Sequence, residues 1–155
     1  MTELRELVHG TCVALGTSAA LLRGKPGSGK SDLALRFIAL PAEAALRPRL
    51  VADDQVLIEP TADGRRRASP PASIAGKIEV RGLGIVPVPH LAEAELALVC
   101  DLVAPEEVPR MPPEPPERAV IAGVAVPILR LAPFEASAPL KLKTALFLAS
   151  TANPM

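Results

Sequence analysis

Eight residues carry the clearest chemistry in this chain. Gly24-Lys25-Pro26-Gly27-Ser28-Gly29-Lys30-Ser31 fit the phosphate-loop pattern G-x-x-x-x-G-K-[ST] at every fixed position. Glycines allow backbone angles that a side chain forbids, so Gly24, Gly27 and Gly29, with Ser28 between them, let several N–H groups point into one hollow. A helix starting near Lys30 adds the positive end of its dipole, which suits phosphate. Lys30 reaches the β- and γ-phosphates in this pattern, and the Ser31 hydroxyl holds Mg²⁺. The chemistry implied is nucleotide binding.

The plain alternative is a glycine-rich turn that only starts a helix, and the flanking residues argue against it. Ala19 to Arg23 read as a short buried strand, and Asp32 to Leu40 as a helix stopped by Pro41. Leu50-Val51-Ala52 is a further apolar strand, and a crossover through the helix makes it parallel to the strand before the loop. Parallel neighbours end at one edge of a sheet, so Asp53 and Asp54 are expected beside the phosphates. One of these carboxylates suits Mg²⁺; the other suits the proton of an attacking hydroxyl. Upstream, Val8 to Leu15 read as one strand, ended by Gly16-Thr17-Ser18 and paired antiparallel with the strand entering the loop. That pairing holds His9 at the loop's end of the sheet.

Composition narrows the partners. The 155 residues suit one domain, with 49% hydrophobic content, 17 basic and 17 acidic residues, three Phe and neither Tyr nor Trp. Zero net charge and missing aromatic platforms speak against nucleic acid. No apolar run approaches about 18 residues, the start is no signal peptide, and so no membrane partner is expected. Cys12 and Cys100 are too few for a disulfide framework and read as buried thiols in a reducing cytoplasm.

The remaining stretches frame the site. Gln55 to Glu59 and Arg65 to Ala68 flank a turn at Asp63-Gly64, a hairpin signal whose three arginines read as a solvated edge. In Ile78 to Val86, alternation sets Ile78 and Val80 opposite Glu79 and Arg81, with Gly82 and Gly84 after them. Leu96 to Val103 read as a buried strand. Residues 105–118 hold six prolines and read as a loop without a packed element, with Arg110 in it, a position from which an arginine can clamp phosphate. Ala119 to Ile121 and Val124 to Leu129 form a hairpin around Gly123. A helix from about Ala138 to Ala149, capped by Ser137, carries a stripe of Leu142, Ala145, Leu146 and Ala149. Its further apolar residues, Leu140, Phe147 and Leu148, point to packing against another subunit.

Four of these stretches together resemble the catalytic domain of the HPr serine kinase/phosphorylase family. They are Val8-His9-Gly10, the phosphate loop, Leu50 to Asp54, and Ile78-Glu79-Val80-Arg81-Gly82-Leu83-Gly84-Ile85. The resemblance implies a single α/β P-loop kinase domain over 1–155, with a mixed sheet, flanking helices and no separate N-terminal regulatory domain. It implies an ATP- and Mg²⁺-dependent cytoplasmic kinase that phosphorylates a serine of HPr, the phosphocarrier of the bacterial phosphotransferase system, with phosphorolysis as the reverse reaction. Carried over by position, it makes Asp53 the general base, His9 a neighbour that tunes it, and Arg110 the mobile-loop arginine. Lys30 contacts the phosphates, and Ser31, Asp54 and Glu79 form the Mg²⁺ shell. A homo-oligomer, hexameric in the family, is implied as well. The family's C-terminal Gly-Arg-Asn stretch has no counterpart near Leu131 to Ser137. Two rival readings stay open: a small-molecule kinase, which needs a closed pocket, and a nucleotide-binding module without catalysis.

Overall fold

Short runs of small and β-branched apolar residues, broken by glycines and acidic turns, lay down strands before either helix. The structure, a computed structural model, describes residues 5–44 and 46–151. In chain order it contains β1 (Glu6–His9), β2 (Thr11–Leu15), β3 (Ser18–Arg23), α1 (Lys30–Ile38), β4 (Pro48–Ala52), β5 (Gln55–Pro60), β6 (Arg66–Ser69), β7 (Lys77–Val80), β8 (Gly84–Pro87), β9 (Ala94–Leu102), β10 (Arg118–Ile121), β11 (Val124–Leu131) and α2 (Ala138–Thr151). The main sheet runs β1-β5-β6-β9-β3-β2-β4, with β11 also on β9 and β10 on β11, while β7 and β8 form a separate hairpin. It is mixed: β9 lies parallel to β3 and β11, and its other contacts are antiparallel. This is the α/β domain with a mixed sheet and flanking helices that the sequence implies.

Three details differ from expectation. The strand expected over Val8 to Leu15 is two strands, because the chain bends at Gly10. A Cβ there would lie 2.7 Å from the Leu22 carbonyl oxygen and 2.9 Å from Leu21 Cδ1, so only glycine passes the end of β3 this closely. β4 runs in the same direction as β3 but is not its neighbour: β2 lies between them, antiparallel to both. The crossover sets a strand's direction and leaves its place in the order free. The arginine-rich β6 is no edge, since β5 and β9 flank it, and its charges are met by ion pairs of Arg67 with Glu59 and of neighbouring Arg65 with Glu95.

The sheet curls because β1–β2 and β4–β5 are two bent chain paths lying antiparallel side by side. Its inner face buries Cys12, Leu21, Val51, Val56, Ile58 and Val99. The opposite face packs on the helices through Val13, Leu22, Leu33, Phe37, Leu50, Leu142 and Leu146. Burying each of these larger side chains stabilises the fold by roughly 1.5–3 kcal/mol relative to exposure. α2 buries Leu142 and Leu146 as the stripe predicts, and leaves Leu140, Phe147 and Leu148 exposed. Among the described residues, no helix is long and apolar enough to cross a membrane.

Candidate functional site

The site forms where β3 and β4 both end. After β3 the backbone turns through Gly27 and Gly29, with φ of 81° and 101° in the left-handed region where glycine carries no Cβ penalty. Gly24 leaves room for the Ser28 side chain, since a Cβ there would lie 2.3 Å from Ser28 Oγ and 3.0 Å from its Cβ. Gly29 is the N-terminal cap of α1, and no side chain caps it, so the helix opens its N–H groups and dipole toward the loop. Lys30 Nζ donates to the carbonyl oxygens of Gly24 and Lys25 at 2.7 and 3.0 Å, which folds its ammonium over the loop. Ser28 Oγ is buried and has no hydrogen-bond partner. An orphaned donor inside a turn of this geometry is what an oxygen-rich anion would satisfy.

β4 delivers the carboxylates. Asp53 is 7% exposed, and its carboxylate is met by three donors. Its Oδ1 accepts from Thr11 Oγ1 at 3.0 Å and Ser31 Oγ at 2.8 Å, and its Oδ2 accepts from the backbone N–H of Glu79 at 3.0 Å. Three elements therefore converge on one carboxylate: β2, the first turn of α1, and β7. Because Ser31 donates its proton to Asp53, the hydroxyl oxygen keeps its lone pairs for a cation. Asp54 follows with φ of 72°, a conformation Asp tolerates better than most residues, and its carbonyl oxygen accepts the Gly10 N–H at 3.1 Å. Its side chain is exposed, as is that of Glu79.

An open cavity of about 690 Å³ unites these groups. Gly27, Gly29, Lys30 and Ser31 line one side of it, Asp53, Asp54 and Glu79 another. Thr11, Leu35, Arg81 and Phe134 also line it, and no motif marks Thr11 or Phe134. Thr11 escaped notice because one buried threonine in an apolar strand carries no motif. Two expected participants do not line the cavity. His9 is exposed at the end of β1 and is not among the hydrogen-bond partners of Asp53 or the residues lining the cavity. Arg110 is exposed in the proline-rich loop and does not line the cavity either. That loop holds a short helical turn at Pro105–Glu107 and is tied down at its end by Glu117, which receives two hydrogen bonds from Arg130 at 2.7 and 2.8 Å.

The donor set suits Mg²⁺ carried by a nucleotide. Among the described residues no three His, Cys, Asp or Glu side chains are grouped to hold a metal by themselves. Mg²⁺ needs no such cage, since it binds through one or two carboxylates, waters and the substrate's phosphates. Oxygen atoms of Ser31, Asp54 and Glu79 beside the glycine-rich loop would fit that mode. Further along the same sheet edge, Arg23 at the end of β3 and Asp101 in the last two residues of β9 pair through two hydrogen bonds of 2.7 and 3.0 Å. That pair raises the Arg23 guanidinium above its ordinary value, chiefly through the hydrogen bond to Asp101.

Known proteins resemble this chain in sequence and in fold. The HPr kinase/phosphorylase of Exiguobacterium sibiricum is 34% identical over 102 residues, 61% of this chain and 31% of that protein. The HPr kinase/phosphorylase of Clostridium tetani is 40% identical over 84 residues, 54% of this chain and 25% of its own length. The chain thus spans about a quarter to a third of the curated relatives it matches. The solved structure of the Hpr(Ser) kinase/phosphatase from Coxiella burnetii shares the fold, with a TM-score of 0.76 at 24% identity over 95% of this chain and 92% of that one. The sequence profile of the HPr Serine kinase C-terminal domain matches residues 2–130. On that match the chain belongs to the HPr serine kinase C-terminal domain family.

Proposed function

We propose that this chain is an ATP- and Mg²⁺-dependent protein kinase, acting in the cytoplasm on a serine of the phosphocarrier HPr. One observation carries the reading: Asp53, at the floor of an open cavity, is hydrogen-bonded to the phosphate-loop residue Ser31. A nucleotide-binding module needs no general base beside its phosphates. Exposed groups along the cavity, among them Asp54, Glu79 and Arg81, favour a protein acceptor over an enclosed small molecule.

Bound ATP and Mg²⁺ supply the electrophilic phosphorus and neutralise its oxygens. The chain's own groups do the rest by position and charge. Lys30 leaves the Gly24 and Lys25 carbonyl oxygens to meet the β- and γ-phosphates, and the N–H groups of the loop hold them. Ser31 would offer its oxygen to the cation while its O–H stays hydrogen-bonded to Asp53, and Asp54 and Glu79 would add carboxylate oxygens. Asp53 Oδ2 carries one hydrogen bond, from the Glu79 N–H, which leaves it room to accept the proton of the attacking seryl hydroxyl. In phosphorolysis, the same carboxylate gives a proton to the seryl oxygen as inorganic phosphate takes the phosphoryl group from phosphoserine and leaves as pyrophosphate. Incubating the protein with ATP, Mg²⁺ and HPr, then weighing HPr by mass spectrometry, tests the proposal. One added phosphoryl group on a serine is expected; unmodified HPr beside phosphorylation of a small alcohol would move the reading to a small-molecule kinase.

A further inference from the structure

The chain has three Phe and no other aromatic side chain, and only one Phe stands at the cavity. Phe37 is fully buried in the core and Phe147 lies on α2, whereas Phe134 lines the cavity and is 69% exposed. A large apolar ring that stands exposed beside a polar site offers its free surface to whatever enters that site. Its support is firm. The segment after β11 starts with the buried Ala132 and Pro133, and Arg36 of α1 donates to the carbonyl oxygens of Pro133 and, at 3.3 Å, of Glu135. Arg36 is itself held by Asp32. The backbone is therefore fixed on both sides of Phe134 while the ring projects.

Position specifies the ligand. β11, β9 and β3 are parallel, so the segment after β11 emerges at the same sheet edge as the phosphate loop. The edge of the Phe134 ring lies against Gly29: a Cβ on Gly29 would be 2.9 Å from Cζ and 3.0 Å from Cε1. Leu35, one helical turn beyond Ser31, lines the same cavity, so apolar surface continues past the phosphate seat along α1. A flat, apolar, π-faced group attached to a polyphosphate is the chemistry that fits a ring so placed. We propose that Phe134 is the platform on which the nucleobase of the bound nucleotide stacks, an inference that rests on the phosphate-loop reading above. Every base has a π-face, so this contact favours nucleotides over bare polyphosphate without choosing strongly between adenine and guanine.

The test is calorimetric titration of the full chain with Mg·ATP and with Mg·tripolyphosphate, for wild type and for Phe134→Ala and Phe134→Leu. Base–aromatic stacking is worth about 1–3 kcal/mol by alanine substitution, so Phe134→Ala should weaken ATP binding about 5- to 150-fold. Tripolyphosphate affinity should not change, and Phe134→Leu should recover only part of the loss. Phe134→Trp introduces the chain's sole tryptophan, whose fluorescence should respond to ATP and not to tripolyphosphate. Equal ATP affinity in wild type and Phe134→Ala overturns the inference. So does a parallel loss of ATP and tripolyphosphate, because Phe134 then only supports the turn at Gly29. A wild type that binds neither ligand overturns the phosphate-loop reading itself, and this inference with it.

Discussion

Replacing Thr11 with Val removes one hydroxyl from beneath the site and little else. Thr11 is fully buried, and its Oγ1 donates to Asp53 Oδ1 at 3.0 Å. Valine has nearly the same shape, so the packing of β2 survives. The carboxylate keeps Ser31 and the Glu79 N–H as donors and is not orphaned. A hydrogen bond to a charged group contributes about 1.5–3 kcal/mol, and one between neutral groups about 0.5–1.5 kcal/mol. Thr11→Val should therefore cost about 1.5–3 kcal/mol in the natural background, and about 0.5–1.5 kcal/mol where Asn already replaces Asp53. The coupling between the two positions is the difference, about 1–1.5 kcal/mol. At roughly 2–4 °C per kcal/mol for a chain of this size, Thr11→Val alone lowers Tm by about 3–12 °C. Urea unfolding of wild type, both single variants and the double variant at pH 7, with equal slopes, gives the cycle. Effects that add to within about 0.3–0.5 kcal/mol would refute the Thr11–Asp53 bond as drawn.

Lys30→Ala should leave stability within about 1 kcal/mol of wild type, because its bonds to two exposed loop carbonyls are modest, while ATP affinity falls sharply. Calorimetry and a thermal melt on one sample check both halves. Asp54→Asn and Glu79→Gln should each raise the Mg²⁺ concentration needed for half-maximal turnover, with excess Mg²⁺ restoring part of the rate. A Mg²⁺ titration unchanged in Glu79→Gln would return Glu79 to an ordinary strand role. Burial pushes the Cys12 and Cys100 thiols well above the ordinary value of 9.0, so neither should react with iodoacetamide in the folded protein at neutral pH, and both should react in urea. The same shifts fix a sign. The thiols stay neutral in the folded chain but ionise in the unfolded one, so their share of stability is present below pH 9.0 and lost as pH rises past it.

Much of the site is legible because its signals are local. The glycines, Lys30 and Ser31 sit within eight residues, and Asp53-Asp54 follow a three-residue apolar strand. The hairpins at Asp63-Gly64 and Gly123 are equally local, and both stand. What escapes the sequence is long-range. Nothing in Thr11 announces a partner 42 positions away, and nothing in Glu79 reveals that its backbone N–H, rather than its side chain, fastens β7 to Asp53. Gly10 reads as an ordinary strand residue until the end of β3 is placed against it. The place of β2 between β3 and β4 depends on which strands compete for one edge, and periodicity cannot rank them. Phe134 sits in a stretch without any motif, and only the direction of β11 brings it to the phosphate loop.

The central claim is that Asp53 accepts the seryl proton, and it is tested most directly by rapid-quench phosphoryl transfer from saturating Mg·ATP to HPr, read by intact mass. Wild type and Asp53→Asn would be compared after calorimetry has shown that both bind ATP. The account predicts that HPr gains one phosphoryl group with wild type, and that Asp53→Asn, still binding ATP, does so about 10²–10⁴-fold more slowly. Transfer by Asp53→Asn at the wild-type rate would contradict it.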